Sequence, residues 1–417
     1  MMLILGASED QLPVYLEARR RGIPTIGVDM RTDRPAYPYA DVWLPVSIKD
    51  HEGIVAALDG RRPTAVVAAA SEAGLWTWHE LSHRYRLPFR FPAAAARASL
   101  DKAAFHDVVR ATGVPGYHWR RSADRAVLAA AAHDIGFPVV VKPPDTSGSK
   151  GITLVSQASE LPGAFDYAAR FTTPGGPLLV EEFVSGRNLT VDVFMRAGRV
   201  AFAGITEKRM VPGPRFVIGG HAAPATIGLA VRGRLVTAAG RLCRAIDLFD
   251  GPANFDVILR ADGSFAVLEA NARLCGNAFP LLMRHMYGVD TVAALVSMVL
   301  GEPFNLTPTQ EHAGIIHVLA SPLPGDAILT AVGGVTEARQ LPGVVCCEVY
   351  AEPGATVHPF DQAANKIGYL VVTGPDPATA QVRLDAALAV LRLEFTARVP
   401  IGQLGQSTSV VVHSDSE

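Results

Sequence analysis

The sequence predicts an α/β protein that begins with a parallel-sheet lobe, continues with antiparallel-sheet lobes and ends with an α+β lobe. Residues 1–100 alternate short apolar strands with amphipathic helices, which is typical of a parallel sheet flanked by helices. Residues 138–271 contain apolar strands separated by tight turns, which favours antiparallel pairing. After residue 301, short strands punctuated by Gly and Pro precede a final helix. A chain of 417 residues can hold two or three such compact units.

The composition favours a folded cytoplasmic protein. Hydrophobic residues make up 49% of the chain and charged residues 19%, which argues against disorder. The formal net charge is −2 and no run is rich in Lys and Arg, so we expect no nucleic-acid partner. No apolar run is long enough to span a membrane, and the apolar N-terminus lacks the basic flank of a signal peptide. The 4 cysteines lack CxxC spacing, so neither a zinc site nor a disulfide framework is indicated.

The N-terminal lobe is predicted over residues 1–97 and is expected to be Rossmann-like. The turn after the first strand, GASEDQ, lacks the later glycines that a dinucleotide pyrophosphate needs, so we interpret the lobe as structural. Its predicted strands are Leu3–Leu5, Thr25–Asp29, Asp41–Pro45 and Ala65–Ala70, and its first helix is Gln11–Arg21.

The central region is predicted over residues 98–304 and the C-terminal lobe over residues 305–400. The predicted central helices are Lys102–Ala111 and Arg232–Leu248, and the predicted central strands are Pro138–Lys142, Gly151–Val155, Leu178–Phe183, Leu189–Arg196 and Arg199–Ile205. The C-terminal lobe is expected to end in the helix Ala378–Leu393, and residues 401–417 are expected to form a flexible tail.

A hairpin between Asn254 and Arg273 carries the most informative pattern. An Asp-Gly pair, Asp262-Gly263, between two alternating runs predicts a two-residue turn. Such a turn places Asp256 opposite Glu269, and Asn254 opposite Asn271. Opposed carboxylates repel each other unless a cation lies between them, and two carboxylates with an amide oxygen suit Mg²⁺. The alternative is a surface hairpin whose acids have no function.

Two upstream segments are candidates for nucleotide binding. Lys142 ends an apolar strand and precedes the loop PPDTSGSKG, whose backbone N–H groups at Ser147, Gly148, Ser149 and Gly151 can face a phosphate. The strand LLVEEFV can present the edge of Glu181–Val184 to a flat adenine ring. The alternatives are an ordinary turn and a solvent-exposed strand end.

In this order, the helix lysine Lys102, Lys142 with its loop, EEFV and the hairpin ending EANAR resemble the ATP-grasp superfamily, specifically its carboxylate–amine ligase branch. The third region, with GGV, LPGV and KIGYLVVTG, looks like the C-terminal lobe of bacterial L-amino-acid ligases. The resemblance implies an ATP-grasp fold with an N-terminal Rossmann-like lobe. It also implies ATP as the nucleotide, with Mg²⁺ or, as a substitute, Mn²⁺.

The resemblance also implies roles for individual residues. Lys102, Lys142 and the loop residues Ser147, Gly148, Ser149 and Gly151 would bind the phosphates. Glu181 would face the adenine amino group, and the backbone at Glu182 and Val184 would bind the adenine edge, with Phe183 between them in the nucleotide-binding segment. Asn188 stands where the family often has a ribose-binding glutamate. Asp256, Glu269 and Asn271 would hold the metal, and Arg273 would neutralise the transferred phosphoryl group. The chain reads Ala-Arg-Leu-Cys-Gly at residues 272–276, where the family favours Pro and Gly, so an unusual substrate pocket is expected.

The segment Met210–Ile227 is expected to border the substrate. It contains His221 but no acid. His221 is a candidate general base for the attacking amine, and a polar loop histidine is the alternative. The end of the fourth strand offers a carboxylate, Glu72, as a weaker candidate for the cleft.

The expected activity is an ATP-dependent ligase that joins a small-molecule carboxylate, such as an amino acid, to an amine through an acylphosphate, releasing ADP and phosphate. A homodimer is one assembly compatible with this reading. One alternative is a carboxylase or purine-type ligase that activates bicarbonate or formate. Another is a nucleotide-binding regulator without catalysis.

Overall fold

The structure is a computed structural model that describes residues 1–144, 151–212, 216–398 and 409–412. The predicted phosphate-loop residues Ser147, Gly148 and Ser149 lie outside these ranges. The chain divides into two compact units, each built from separate segments. The first unit contains Met1–Gly116, Asn188–Ile205 and Ile227–Gln310. The second unit contains Tyr117–Arg187, Thr206–Thr226 and Glu311–Glu417. The domain boundaries proposed from the sequence remain a prediction.

The strands are β1 (Met2–Leu5), β2 (Thr25–Val28), β3 (Val42–Leu44), β4 (Ala65–Val67), β5 (Trp119–Ser122), β6 (Val139–Lys142), β7 (Thr153–Val155), β8 (Leu178–Glu182), β9 (Arg187–Arg196), β10 (Arg199–Met210), β11 (Ile218–Ala223), β12 (Gly251–Leu259), β13 (Phe265–Asn271), β14 (Ala313–Leu319), β15 (Ala327–Gly333), β16 (Val344–Val349), β17 (Thr356–Val357), β18 (Gly368–Gly374), β19 (Arg392–Ala397) and β20 (Ser409–Val412).

The helices are α1 (Leu12–Arg20), α2 (His51–Ala57), α3 (Leu75–Arg84), α4 (Ala93–Leu100), α5 (Lys102–Thr112), α6 (Arg125–Ile135), α7 (Leu161–Ala169), α8 (Leu229–Ala245), α9 (Phe279–Tyr287), α10 (Thr291–Leu300), α11 (Val335–Gln340) and α12 (Pro377–Val390).

The first unit begins with the parallel sheet that the sequence predicted. Its strand order is β3-β2-β1-β4, and Met2 pairs with both Thr25 and Ala65. Every residue of β1, MLIL, is buried, as expected for a parallel strand that is covered on both faces. The carboxyl ends of these strands lie at one edge of the sheet, which is where open α/β sheets bind ligands.

The first unit also contains the hairpin strands β12 and β13, which are followed in the sheet by β9 and β10. β10 passes from the first unit to the second after Ile205. Helix α5 begins where the Asp101 carboxylate accepts the N–H groups of Ala103 at 2.8 Å and Ala104 at 3.2 Å. This N-cap fixes the first helical residue, Lys102, next to β13.

The second unit contains an antiparallel sheet of order β5-β8-β6-β7. Helices α6 and α7 cover it, and their apolar residues form one core with the inward residues of the strands. Leu128, Ala132, Val139, Val141 and Val155 are fully buried in that core. The lysine-bearing strand β6 is thereby packed on one face.

The rest of the second unit differs from the prediction at the C-terminus. The last helix ends at Val390, three residues earlier than predicted, and Arg392–Ala397 then form β19. The backbone at Ser409–Val412, expected to be part of a loose tail, pairs with β19 as β20. The expectation of an unstructured tail is therefore wrong for these four residues.

Within the described ranges, no helix combines the length and apolar character that crossing a lipid bilayer requires.

Candidate active site

The hairpin β12–β13 brings together the acids that the sequence predicted as a pair. Asp256 lies directly opposite Glu269, and Asn254 lies directly opposite Asn271. Residues opposed in this way share a face of the sheet, and the alternation along β12 puts Asn254 on that face as well. The predicted juxtaposition of two carboxylates and two amides is confirmed.

The predicted two-residue turn is wrong. The Arg260 N–H donates to the Ser264 carbonyl at 2.8 Å, so three residues, Ala261, Asp262 and Gly263, form the loop. The Asp262 carboxylate accepts the Ser264 N–H at 2.8 Å, and Gly263 has φ +79°, a conformation that favours glycine. Three-residue hairpin loops with glycine in this conformation are common.

A β-bulge restores the predicted pairing beyond the turn. Val257 lies opposite Val267 while Asp256 lies opposite Glu269, so Leu268 is the extra residue in β13. The longer turn and the bulge each shift the register by one residue, and the two shifts cancel. The acids therefore meet as predicted, although the loop was predicted incorrectly.

The two acids are half-buried, and a lysine lies beside one of them. Lys102 Nζ is 3.5 Å from Glu269 Oε2, and the two side chains are 13% and 34% exposed. A cation therefore already balances part of the carboxylate charge. The two carboxylates and the Asn271 amide oxygen are hard oxygen donors, and this donor set fits Mg²⁺, whose remaining positions are usually filled by water and nucleotide phosphates.

Two hydrogen bonds orient the amides of this site. Asn271 Nδ2 donates to Asn254 Oδ1 at 3.4 Å, and Asn254 Nδ2 donates to the Arg273 carbonyl at 3.2 Å. Because the Asn271 NH₂ group is directed towards Asn254, its Oδ1 is the atom available to a cation. Asn254 also connects the hairpin to the backbone of Arg273.

Arg273 forms an ion pair with Glu72, which the sequence offered only as a weaker candidate for the cleft, and the pairing itself was not predicted. Its guanidinium contacts the carboxylate of Glu72, and it donates to the Leu274 carbonyl at 3.2 Å. The side chains of Arg273 and Glu72 are 11% and 22% exposed. Burial lowers the pKa of Arg273 from its ordinary value, and the nearby Cys275 and Asp10 oppose that shift. The Arg273 Nε has no hydrogen-bond partner among the described residues.

The loop after β13 is anchored to Ser99 in α4 and to Asp10, which precedes α1, by contacts that were not predicted from the sequence. The Ala272 N–H donates to Ser99 Oγ at 2.9 Å, and the Asn277 N–H donates to Asp10 Oδ1 at 2.7 Å. Asn277 and Ala278 both have positive φ, at 54° and 59°. One sequence pattern could have indicated that such residues lie near the site: Asp10 and Glu72 follow strands of a parallel sheet, and the carboxyl ends of those strands meet at one edge.

In the second unit, Lys142 and Glu181 form a buried ion pair. Lys142 Nζ lies 2.6 Å from Glu181 Oε2, with side-chain exposures of 9% and 5%. Val140 is opposite Glu181 on the neighbouring strand, so Lys142, two residues further along β6, is a diagonal neighbour on the same face. The sequence singled out both residues but not this contact.

In the strand edge predicted to bind adenine, part of the backbone already forms hydrogen bonds within the protein. The Glu182 N–H donates to the His118 carbonyl at 2.8 Å, and the Phe183 N–H donates to the Pro138 carbonyl at 3.3 Å. The N–H groups of Glu182 and Phe183 therefore hold the sheet together. Val184 is buried, and the Phe183 ring lies 6.2 Å from the Phe216 ring, so the surroundings are apolar.

Gly151 and Asn188, two further residues predicted to bind the nucleotide, lie within the described ranges. Gly151 has φ +73°, and a Cβ there would lie 2.9 Å from Phe171 and Pro143, so a larger residue does not fit. Asn188 is half-buried near the start of β9, in the first unit.

His221 is poorly suited to the general-base role predicted for it. It is 3% exposed in β11, its Nδ1 lies 3.0 Å from Thr206 Oγ1, and burial, aided by the charge of Lys208, lowers its pKa to about 3. A ring with this pKa is neutral at pH 7 but accepts a proton only weakly. The alternative given above, a histidine with a structural role, agrees better with this environment.

The buried acid Asp192 was not among the candidate site residues predicted from the sequence. It is 3% exposed in β9, and its Oδ1 has no hydrogen-bond partner among the described residues. Burial raises the pKa of this carboxyl well above its ordinary value.

Comparison with known proteins gives matches along most of the chain. The family described as ATP-grasp domain matches residues 135–280, and the family described as L-amino acid ligase C-terminal domain 2 matches residues 317–396. The uncharacterized protein y4rH of Sinorhizobium fredii is 30% identical over 327 residues, which are 78% of this chain and 67% of that protein.

Other relatives cover less of the sequence or share only the fold. A formate-dependent phosphoribosylglycinamide formyltransferase of Nitratidesulfovibrio vulgaris is 30% identical over 206 residues, 48% of this chain and 52% of the enzyme. The chain thus spans about half the length of that relative. The crystal structure of an L-amino acid ligase from Bacillus licheniformis superposes with a TM-score of 0.79 at 18% identity, covering 94% of this chain and 98% of that one.

Proposed function

The chain belongs to the ATP-grasp family of carboxylate–amine ligases, and we propose that it joins an amino acid or a similar small acid to an amine, with ADP and phosphate as products. The observation that carries this proposal is the pairing of Asp256 with Glu269 beside Asn271. The match of residues 317–396 to an L-amino acid ligase domain supports the choice of an amino acid.

The reaction has two steps. A carboxylate oxygen of the acid attacks the γ-phosphorus of ATP, the bond from that phosphorus to the bridging oxygen breaks, and ADP leaves. The nitrogen of the neutral amine then attacks the acyl carbon, the carbon–oxygen bond to phosphate breaks, and the nitrogen loses a proton to water or the released phosphate. Phosphate is a far better leaving group than the oxygen of a free carboxylate, which is why ATP is needed.

The residues of the chain contribute binding, alignment and charge. Lys102, with its ammonium beside the hairpin acids, and Lys142 are proposed to bind ATP phosphates, and Glu181 the adenine amino group. Asp256, Glu269 and Asn271 are proposed to hold Mg²⁺, which when bound offsets phosphate charge. Arg273 is proposed to stabilise the negative charge that develops during phosphoryl transfer.

Product analysis tests this function. Purified protein is incubated with ATP, Mg²⁺ and combinations of acids and amines, and ADP, AMP, phosphate and pyrophosphate are measured. Release of ADP and phosphate that requires both an acid and an amine supports the proposal. Release of AMP and pyrophosphate contradicts it. ATP binding without turnover on a broad panel would instead support a non-catalytic regulator.

A second candidate is activation of formate or bicarbonate, which the similarity to the formate-dependent formyltransferase favours. The same assay distinguishes it. Formate- or bicarbonate-dependent release of ADP and phosphate without a larger organic acid would support this candidate.

A further inference from the structure

Building on the proposed ligase activity, we propose that Asp10 is a positioning residue for Arg273. Its carboxylate holds the turn that follows Arg273, and thereby sets where the guanidinium lies during phosphoryl transfer. Asp10 follows β1 of the parallel sheet and is separate in sequence from the hairpin and from the two lysines proposed to bind phosphate. The role assigned to it is alignment, without contact with ATP or the substrates.

The turn after Arg273 has an unfavourable backbone conformation. Asn277 and Ala278 both have positive φ, at 54° and 59°. Asparagine tolerates the left-handed region, but the Cβ atom of alanine makes that region costly. Two successive residues of this kind persist only where surrounding contacts hold them, and such strain is concentrated at active sites. The turn therefore needs an anchor outside itself.

Asp10 provides this anchor with its whole carboxylate. Its Oδ1 accepts the Asn277 N–H at 2.7 Å, a charge-assisted hydrogen bond. The preceding residue, Gly276, lies against the same group. A Cβ at Gly276 would be 3.1 Å from Asp10 Oδ2 and 3.3 Å from Asp10 Cγ, which is tighter than an ordinary van der Waals contact. Glycine is needed at this position because the backbone approaches the carboxylate so closely.

Hydrogen bonds also hold the segment that carries Asp10. The Asp10 N–H donates to Ser8 Oγ at 3.4 Å, and Ser8 Oγ donates to Gln11 Oε1 at 2.7 Å. Gln11 is 4% exposed, and its Nε2 donates to the Ala69 carbonyl at 2.7 Å. These bonds connect the residues around Asp10 to the segment that follows β4. The carboxylate of Asp10 is therefore held in place relative to the parallel sheet.

Arg273 lies between two anchored positions of the backbone. On its N-terminal side, the Ala272 N–H donates to Ser99 Oγ at 2.9 Å, and Ser99 Oγ donates to the Ala95 carbonyl within α4 at 2.9 Å. On its C-terminal side, Asp10 holds Asn277. The backbone of residues 272–277 is thus attached at both ends, so release of either end would let Arg273 move.

The charge of Asp10 acts on Arg273 as well. Burial lowers the pKa of Arg273, and the nearby Cys275 and Asp10 oppose that shift. A negative charge close to a guanidinium favours its protonated form, which is the form that can stabilise a phosphoryl group. Asp10 therefore contributes to the charge state of Arg273 in addition to its position.

The first test measures steady-state release of ADP with an acid and an amine from the product screen. Phosphoryl transfer depends on alignment, and a displacement of about 1 Å can cost about 100-fold, so Asp10→Ala is expected to lower kcat about 100-fold. The KM for ATP should stay within about threefold of wild type. Asp10→Asn keeps an acceptor for the Asn277 N–H but loses its charge, and should be only about 10-fold below wild type.

A double-mutant cycle tests the contact with Gly276. Gly276→Ala in the wild-type background pushes the turn away from the carboxylate and should lower kcat about 10-fold. In Asp10→Ala the obstructing group is absent, so adding Gly276→Ala should lower kcat by less than about threefold further. A full additional 10-fold loss in the double variant would overturn the proposal, because the two residues would then act independently.

Two further comparisons separate alignment from general stability. Glu52→Ala removes a glutamate that pairs with Arg84 at 2.7 Å on the exposed surface, and it should behave as wild type. Urea unfolding should show Asp10→Ala to be fully folded under the assay conditions. Wild-type kcat in Asp10→Ala, a loss confined to the KM for ATP, or no recovery of activity in Asp10→Asn relative to Asp10→Ala would each overturn the proposal.

Failure of the ligase activity itself would look different. If wild type turns over no acid with any amine, amide hydrogen exchange in peptides that span residues 272–278 still decides whether Asp10 holds the turn. Slow exchange in wild type and Glu52→Ala that becomes at least about 10-fold faster in Asp10→Ala supports the proposal. Equal exchange in wild type and Asp10→Ala overturns it.

Discussion

Lys102 Nζ lies 3.5 Å from Glu269 Oε2, so the first residue of α5 forms an ion pair with Glu269. Glu269 in turn lies opposite a second acid, Asp256, across the hairpin. We predict that Glu269→Ala lowers turnover by at least about 1000-fold, because a proposed metal ligand is lost. The free energy of unfolding should change by less than about 1 kcal/mol. The lost contact with Lys102 and the relieved repulsion from Asp256 oppose each other, and both are screened.

The measurements are phosphate release and urea unfolding without Mg²⁺. Asp262→Ala is the matched control, because it removes an exposed acid from the turn of the same hairpin. It should keep wild-type turnover. Unfolding of metal-free Glu269→Ala under conditions where wild type is stable would count against the predicted role of the pair.

The buried ion pair of Lys142 and Glu181 predicts that substitutions of the two residues have non-additive effects on the free energy of unfolding. Lys142→Met leaves the Glu181 carboxylate, 5% exposed, without its cation, and should lower the free energy of unfolding by about 3–5 kcal/mol. The double variant Lys142→Met/Glu181→Gln should recover most of that loss while ATP binding stays weak. Denaturant unfolding and ATP titration measure the two effects.

Lys49→Met, which removes an exposed lysine from the first unit, is the control for Lys142→Met. It should leave both stability and ATP binding unchanged. A double variant as unstable as the single one would show that the uncompensated carboxylate is not the cause.

Arg273 should matter for catalysis more than for nucleotide binding. Arg273→Lys keeps a charge but loses the planar set of donors, so we expect kcat to fall about 100-fold. The KM for ATP should stay within about threefold of wild type, since the role is in the transition state. Arg284→Lys, at an arginine with 64% exposure, serves as the control in steady-state kinetics. An effect confined to the KM for ATP would refute this assignment.

His221 should make the protein less stable in mild acid. Its pKa is about 3 in the folded state because of burial and about 6.5 when unfolded, so the unfolded state binds more protons between those values. Stability is therefore lost as pH falls below about 6.5. Between pH 7 and pH 5, wild type should lose about 2 kcal/mol more unfolding free energy than His221→Gln.

Urea unfolding at the two pH values measures this difference. Thr206→Val is the matched variant, because it removes the hydrogen-bond partner but leaves the ring buried, and burial is the main cause of the low pKa. It should keep the wild-type pH dependence. The same pH dependence in His221→Gln and wild type would disprove the assignment.

Asp192→Asn should stabilise the protein near neutral pH. Because burial raises the pKa of Asp192 in the folded state, the unfolded state releases its proton first, and stability falls as pH rises above the unfolded value. The asparagine amide does not titrate, so it adds no pH dependence to the stability. We expect a higher Tm than wild type at pH 8 and a smaller gain at pH 5, measured by calorimetry. A lower Tm at both pH values would contradict this interpretation.

Local patterns were sufficient to predict much of the fold. The alternation of four short apolar strands with helical stretches in residues 1–70 predicted a parallel sheet, and the structure has one. The predicted helix Lys102–Ala111 is extended by one residue, because Gly113 at φ +66° ends it. Helices α9 and α10 were not predicted, since their largely apolar sequences give little helical periodicity to detect.

The candidate site was predictable only where its partners are close in sequence. Asp256 and Glu269 share one hairpin, so a turn signal was enough to pair them. Glu72 and Arg273, by contrast, meet only after the strands of the N-terminal sheet and the hairpin have packed. A local pattern carries no information on such contacts, which are set by tertiary packing.

The register shift of the three-residue turn is cancelled by that of the bulge, so the pairing at the base of the hairpin depends on both features together. A residue lost from the tip would rotate every following side chain of β13 to the other side of the sheet unless Leu268 were lost with it. Tip length and bulge are thus expected to vary together among relatives, in coupled pairs of insertions and deletions. The identity of the exposed tip residue Ala261, by contrast, can vary without disturbing the proposed ligands at the base, whereas Asp262 and Gly263 shape the turn.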